Sequence, residues 1–140
     1  MEPVVLDTSV ALKWYLEEAG SEEALALHST ASLALHAPDF LLLEFDSIMC
    51  ARCRQKRVTE PLVERSRVAV RRSGVLFHPF ESLLDPAVAL ALGTRKAVYD
   101  CMFLALAERL DAVLVTADKR FGAGLERTPL GGRIRLLAGV

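Results

Sequence analysis

Short apolar runs alternate with longer stretches of helical periodicity from one end of the chain to the other. Val4 to Leu6 reads as a first strand, and Leu33 to Pro38, closed by its proline, as a second. Val75 to Phe80 reads as a third, Ala112 to Thr116 as a fourth, and Arg133 to Leu137, after a Leu-Gly-Gly turn, as a fifth. Between them the pattern predicts helices over 11–18 and 21–31, with Ser9 and Ser21 as N-caps, and a long helix from Asp39 to Arg57. A further helix has Thr59 as cap, Pro61 in its first turn and Gly74 as its stop. Two more follow: 85–93, with Asp85 as cap, Pro86 as first residue and Gly93 as terminator, and 97–110. Such alternation predicts an α/β fold of three layers, a mostly parallel sheet of about five short strands with helices on both faces. Residues 1–140 read as a single domain with no repeat, low-complexity tract or linker.

Composition agrees: a chain of 140 residues that is 52% apolar can bury roughly two thirds of its unfolded surface. No apolar run approaches the ~18 residues of a membrane helix, and no basic segment precedes an apolar one at the N-terminus. The expected location is the cytoplasm. Cys50, Cys53 and Cys101 make an odd count that suits reduced thiols. Cys50 and Cys53 form a CxxC inside a helical pattern, and His28, His36 and His78 are scattered singly, so neither a zinc site nor a thioredoxin motif is indicated.

Charge changes the picture more than its net value of -1 suggests. Residues 1–46 hold nine acids and one base, Lys13, whereas Arg52 to Arg72 holds eight bases against two acids, Glu60 and Glu64. A basic stretch of this kind fits a solvated pair of helices or an anionic partner lying along one face.

The candidate chemistry lies in carboxylates. In open parallel sheets ligands bind beyond the carboxyl ends of the strands. Asp7 follows the first strand at once and Asp118 follows the fourth by two residues, which puts both at that edge. Either alone is explained by helix capping. Glu44 has Phe40, Leu41, Ser47 and Ile48 as its helical neighbours, so a charge there faces a mostly apolar surface. Asp46 has comparable neighbours, and spacing does not decide which of the two points inward. Asp100 opens the helix over 97–110. Four clustered carboxylates would repel one another and raise one another's pKa values. A hard divalent cation resolves the conflict, and oxygen-only ligation selects Mg²⁺ or Mn²⁺ over Zn²⁺. Water on such an ion can attack a phosphodiester.

Four motifs, "VVLDTSVALKW", "APDFLLLEFDSIM", "VYDCMFLALAERL" and "VLVTADKRF", resemble in order and spacing those of PIN-domain nucleases, most of all the VapC-type ribonuclease toxins of toxin–antitoxin pairs. The resemblance covers nearly the whole chain. It implies that Asp7, Glu44, Asp100 and Asp118 bind Mg²⁺ or Mn²⁺, that Thr116 supports the site, and that Thr8 and Ser9 cap the helix and reach metal-bound water. It also implies RNA hydrolysis, a homodimer, and inhibition by a cognate antitoxin. One departure stands out: Ser47, with Asp46 beside it, occupies a position that is often Asn in that family.

Rival readings are a PIN fold used only as an interaction module, which would be expected to lack one or more of these acids, and a DNA-directed nuclease. An aspartyl-phosphate phosphatase wants a second Asp where Ser9 stands, and a receiver domain wants an Asp after the third strand. Gly122 and Gly124 lack the third glycine of a dinucleotide fingerprint. Trp14 and Tyr15 fit packing better than base stacking.

Overall fold

The computed structural model describes residues 1–139. Five strands, β1 (Glu2–Leu6), β2 (Leu33–Pro38), β3 (Leu76–His78), β4 (Val113–Thr116) and β5 (Ile134–Leu136), form one sheet in the order β3-β2-β1-β4-β5. Every neighbouring pair is parallel, with Val4 beside Leu35 on one side and Val113 on the other. β1 is therefore central, and its Val4, Val5 and Leu6 are all buried, as a strand covered on both faces requires.

Six helices connect the strands: α1 (Thr8–Leu12), α2 (Ser21–Ser29), α3 (Leu41–Arg54), α4 (Glu60–Arg71), α5 (Leu84–Thr94) and α6 (Val98–Leu110). The chain steps outward from β1 through β2 to β3, then jumps back across β1 to β4. Right-handed crossovers put the helices of these two legs on opposite faces. α6 lies against β1, β2 and β4, while α1 packs on α3 and α3 on α4. Seven successive residues of α6, Cys101 to Ala107, are buried, so this helix is apolar around its whole circumference and forms the centre of its layer. The reversal of direction between β1 and β4 opens a crevice at the carboxyl edge of the sheet.

Several boundaries depart from the sequence pattern, each for a local reason. The helix expected over 11–18 ends at Leu12, where the chain turns: Lys13 Nζ donates to the Ala19 carbonyl at 2.7 Å and Trp14 Nε1 to the Ala24 carbonyl at 2.8 Å. Neither predicted serine cap forms. Gly20 precedes α2 at φ 90°, and the Ser21 hydroxyl donates instead to the Leu16 carbonyl. The Asp39 side chain accepts from the Phe80 amide, so α3 starts two residues later, at Leu41. Asp85 is not a cap, because a 3₁₀ turn over Phe80–Leu83 leads into α5 one residue ahead of it. Gly93 does not stop α5, which runs to Thr94 and closes on Arg95 at φ 63°. The Thr59 cap does form, its hydroxyl accepting from the Leu62 amide at 3.3 Å.

The three cysteines are free thiols, Cys101 buried, Cys53 half-buried and Cys50 exposed. Among the described residues no helix is long and apolar enough to cross a membrane. Trp14 is buried, stacked on His28 with ring centroids 4.4 Å apart, so its indole is a packing group. Trp14→Phe removes its buried hydrogen bond and should lower the unfolding free energy by about 1–2 kcal/mol. Urea denaturation checks this, and an unchanged midpoint would contradict it.

Candidate active site

Asp7 occupies the first position past β1. Its amide donates to the Val115 carbonyl at 3.3 Å, which extends the β1–β4 ladder by one residue and sets Asp7 beside Thr116. Both carboxylate oxygens are held: the Thr116 hydroxyl donates to Oδ2 and the Ser9 hydroxyl to Oδ1, each at 2.5 Å. Such lengths belong to hydroxyls bonded to a charged acceptor. Ser9 Oγ also accepts from the Ala117 amide at 3.1 Å, and Thr116 Oγ1 from the Asp118 amide at 3.1 Å. Two hydroxyls thus bind the end of β1 to the loop after β4.

The carboxylate itself is buried, with 6% of the residue exposed. Burial pushes its pKa from 3.8 to about 6, against the pull of the Ser9 and Thr116 hydroxyls. The amides of Val10 and Ser9 face it as well, without closing a helix-capping bond. Asp7 stands at the N-cap of α1, but the bonds that hold its carboxylate come from the two hydroxyls.

Glu44 stands in the first turn of α3, where the Thr8 hydroxyl donates to its Oε1 at 2.7 Å. Burial raises the Glu44 pKa, Thr8 opposes that, and the charge of Asp100 raises it further. Asp100, in the first turn of α6, is raised by burial and then by the charge of Asp118, while Lys96 pulls it down. Asp118 is half-buried; its Oδ1 accepts from the Arg120 amide at 2.9 Å. The four acids are linked stepwise in an arc: Asp7 and the backbone amide of Asp118 share the Thr116 hydroxyl, the charge of Asp118 acts on Asp100, and that of Asp100 on Glu44.

Thr8 and Ser9 do not cap α1 as expected; they hold Glu44 and Asp7. Asp46 turns away from the arc, pairing with Arg67 at 3.1 Å and Arg71 at 2.8 Å on α4. Glu44 is the one that turns towards the segment after β1 and towards Asp100, the choice spacing left open. Ser47 is exposed. The basic stretch is also partly spent inside the fold, since Arg52 reaches Glu18 at 3.2 Å. His36 and His78, isolated in sequence, meet across β2 and β3 with Nδ1 and Nε2 2.9 Å apart. Parallel register made this pair legible only once the strands were matched.

Among the described residues no three carboxylate, imidazole or thiol side chains close into a ligand cluster. Like charge nonetheless acts between neighbours: Asp100 raises the pKa of Glu44, and Asp118 raises that of Asp100. An open set of hard oxygen donors fits a divalent cation such as Mg²⁺ or Mn²⁺ that keeps part of its water, not a caged one.

A family model described as the PIN domain matches residues 4–123. Ribonuclease VapC3 of Pyrobaculum aerophilum is 28% identical over 119 residues, 84% of this chain and 90% of that protein. A crystal structure of another Pyrobaculum aerophilum protein superposes with a TM-score of 0.70 at 20% identity, over 98% of this chain and 92% of that one. The VapC20 toxin of Mycobacterium tuberculosis, described as cleaving the sarcin-ricin loop, gives a TM-score of 0.67 at 16% identity over 86% and 93%. A toxin–antitoxin complex from Klebsiella pneumoniae gives 0.63 at 17% over 98% and 99%.

The raised pKa of Asp7 carries a stability cost with a definite sign. The cost is absent below pH 3.8, grows as the group ionises, and is complete above about 6. Without divalent cations at pH 7, Asp7→Asn should raise the unfolding free energy by up to roughly 3 kcal/mol. The gain should vanish near pH 4, as the wild-type carboxylate takes up its proton. Urea titrations at the two pH values measure this; a loss of stability at both would contradict it.

Proposed function

Because the chain belongs to the PIN-domain family, we propose that it is a Mg²⁺- or Mn²⁺-dependent endoribonuclease, acting in the cytoplasm as the toxin of a toxin–antitoxin pair. The observation that carries the reading is Asp7: a carboxylate buried at the end of the central strand and held on both oxygens by hydroxyls, one of which, Thr116, also accepts from the Asp118 amide, with Glu44 and Asp100 shifted by neighbouring acids. Stability gains nothing from gathering these charges. A cation bound among them makes the arrangement favourable.

In this reading Asp7, Glu44, Asp100 and Asp118 hold the ion, directly or through its waters. When bound, it supplies an activated water and neutralises charge developing on the phosphodiester. The chain's own work is positional. Thr116 and Ser9 fix the rotamer of Asp7, and Thr8 fixes that of Glu44, so the donors face the crevice before the ion arrives. Substrate RNA is supported by the ribonuclease named among the relatives, and an antitoxin partner by the toxin–antitoxin complex that shares the fold. A homodimer belongs to the same reading: α5 leaves Val88 and Leu92 exposed, and α6 exposes Tyr99 in its first turn. All four acids are present, which favours an enzyme over an interaction module.

Purified protein should cut a mixed RNA pool with Mn²⁺ and not with EDTA, and Asp100→Asn should fall to the EDTA level. Thr116→Val, which keeps the shape but drops the hydroxyl, should lower cleavage by about 10–100-fold. Cleavage products resolved on denaturing gels decide the matter. Equal cutting by Asp100→Asn would contradict the site, and faster cutting of single-stranded DNA than RNA would contradict the substrate.

A further inference from the structure

The carboxylate arc is acidic, and so is the chain around its first strand, yet its substrate in the reading above is a polyanion. Cations must hold the RNA close by. Three bases of the α3–α4 stretch are already spent inside the fold. Arg52 follows Glu44 by eight residues on one helix, about 12 Å along its axis. Its guanidinium is tied to Glu18, and those of Arg67 and Arg71 are tied to Asp46.

A cavity of about 330 Å³ opens next to the loop after β4, bounded in part by Lys13, Glu23, Ala117, Lys119, Leu136 and Leu137. Ala117 lies between Thr116 and Asp118, and its amide donates to the same Ser9 hydroxyl that holds Asp7. The cavity wall is thus one hydroxyl away from the buried carboxylate. The volume lies in the range of small-ligand sites and suits a single nucleoside.

Its walls divide by chemistry. Leu136 and Leu137 give an apolar surface at the end of β5, where Leu136 is 39% exposed. Lys13 is built in: Nζ donates to Glu18 Oε1 at 3.1 Å and to the Ala19 carbonyl, and its stem lies where a side chain on Gly20 would stand. A Cβ on Gly20 would come within 3.3 Å of that stem, and the backbone there has φ +90°, so glycine keeps this wall open. Lys119 is exposed and takes part in none of the ion pairs among the described residues. Together with Leu136 it also borders a smaller cavity of about 180 Å³ on its other side. An exposed ammonium that borders both cavities can hold a phosphate of a single strand while a flanking sugar or base covers the apolar wall.

We propose that this cavity is a nucleotide subsite for single-stranded RNA, seating the nucleoside next to the scissile phosphodiester against Leu136 and Leu137, with Lys119 Nζ holding its outer phosphate. The proposal rests on the nuclease reading and gives it a direction: the strand leaves the carboxylates over the ends of β4 and β5. An RNA occupant is favoured over a protein segment because one wall, Ala117, belongs to the same short loop as Thr116 and Asp118, and the exposed Lys119 follows it.

The test locates RNA without requiring cleavage. A random 20-nucleotide single-stranded RNA carrying 4-thiouridine is photo-crosslinked to the full Asp100→Asn chain in EDTA, and the attached peptides are mapped by mass spectrometry. Fluorescence anisotropy of the same RNA against salt is measured for Lys119→Ala and Leu136→Trp in that background, with Arg65→Ala on exposed α4 as the control. Crosslinks should fall in 117–119 and 134–137, and Leu136→Trp should remove them by filling the hollow. Lys119→Ala should lower the slope of log affinity against log salt by about 0.7, the value of one phosphate contact, while Arg65→Ala leaves the crosslink positions unchanged. Crosslinks confined to Arg52–Arg72, with an unchanged slope for Lys119→Ala, would overturn the subsite and leave the cavity to a protein segment. RNA that crosslinks nowhere on the chain would contradict the nuclease reading itself, and the subsite with it.

Discussion

The clamp of two hydroxyls on the Asp7 carboxylate is the interaction on which the rest of the site depends. Ser9 and Thr116 come from opposite ends of the chain, and through them the end of β1, the start of α1 and the loop after β4 are joined at a single charged group. The topology makes this meeting unavoidable. β1 and β4 are neighbours only because the chain reverses its direction across the sheet between β3 and β4. The crevice that opens there is lined by whatever follows those two strands, and here that is Asp7, Thr8, Ser9, Thr116, Ala117 and Asp118.

Energetically the clamp is a compromise. Burial would drive Asp7 towards its neutral form, and the hydroxyls recover part of what burial costs the anion, leaving its pKa at about 6. Glu44 and Asp100 are likewise raised by desolvation, and in addition by neighbouring negative charge. A fold selected for stability alone would place at least one of these acids elsewhere. Asp46 shows the alternative within the same helix: two residues past Glu44, it faces α4 and is paired by two arginines. The contrast separates a carboxylate neutralised by cations of the fold from one that has only a hydroxyl for a partner. It also explains part of the basic stretch, whose arginines brace α4 on α3.

Most of the architecture was legible in the sequence because parallel strands buried on both faces are written as short apolar runs. All five runs became strands, and the order of strands and helices held. What escaped was set by contacts between distant residues or by backbone conformation. The chain leaves the helical path at Lys13 because side chains of that loop find carbonyls in Ala19 and Ala24, which periodicity does not record. Arg95, not Gly93, adopts the left-handed conformation that ends α5. At the site, the acids were visible as types at strand and helix ends, but the work of the hydroxyls was not. Thr8 and Ser9 look like helix caps to any local rule, and their partners lie 36 residues away for Thr8 and, for the amide that Ser9 accepts from, 108 residues away. Lys119 was an ordinary loop lysine until β5 brought Leu136 beside it.

The central claim is that the strained carboxylates are an ion site. The most direct measurement is the thermal unfolding midpoint of metal-free protein titrated with Mn²⁺ at pH 7.5 and pH 5, for wild type and Asp7→Asn. The account predicts a rising midpoint for wild type at pH 7.5, equivalent to about 2.7 kcal/mol once Mn²⁺ reaches a hundred times its Kd. The shift should be smaller at pH 5, where Asp7 is largely protonated, and nearly absent in Asp7→Asn. Equal shifts in both proteins, or none in wild type at millimolar Mn²⁺, would contradict it.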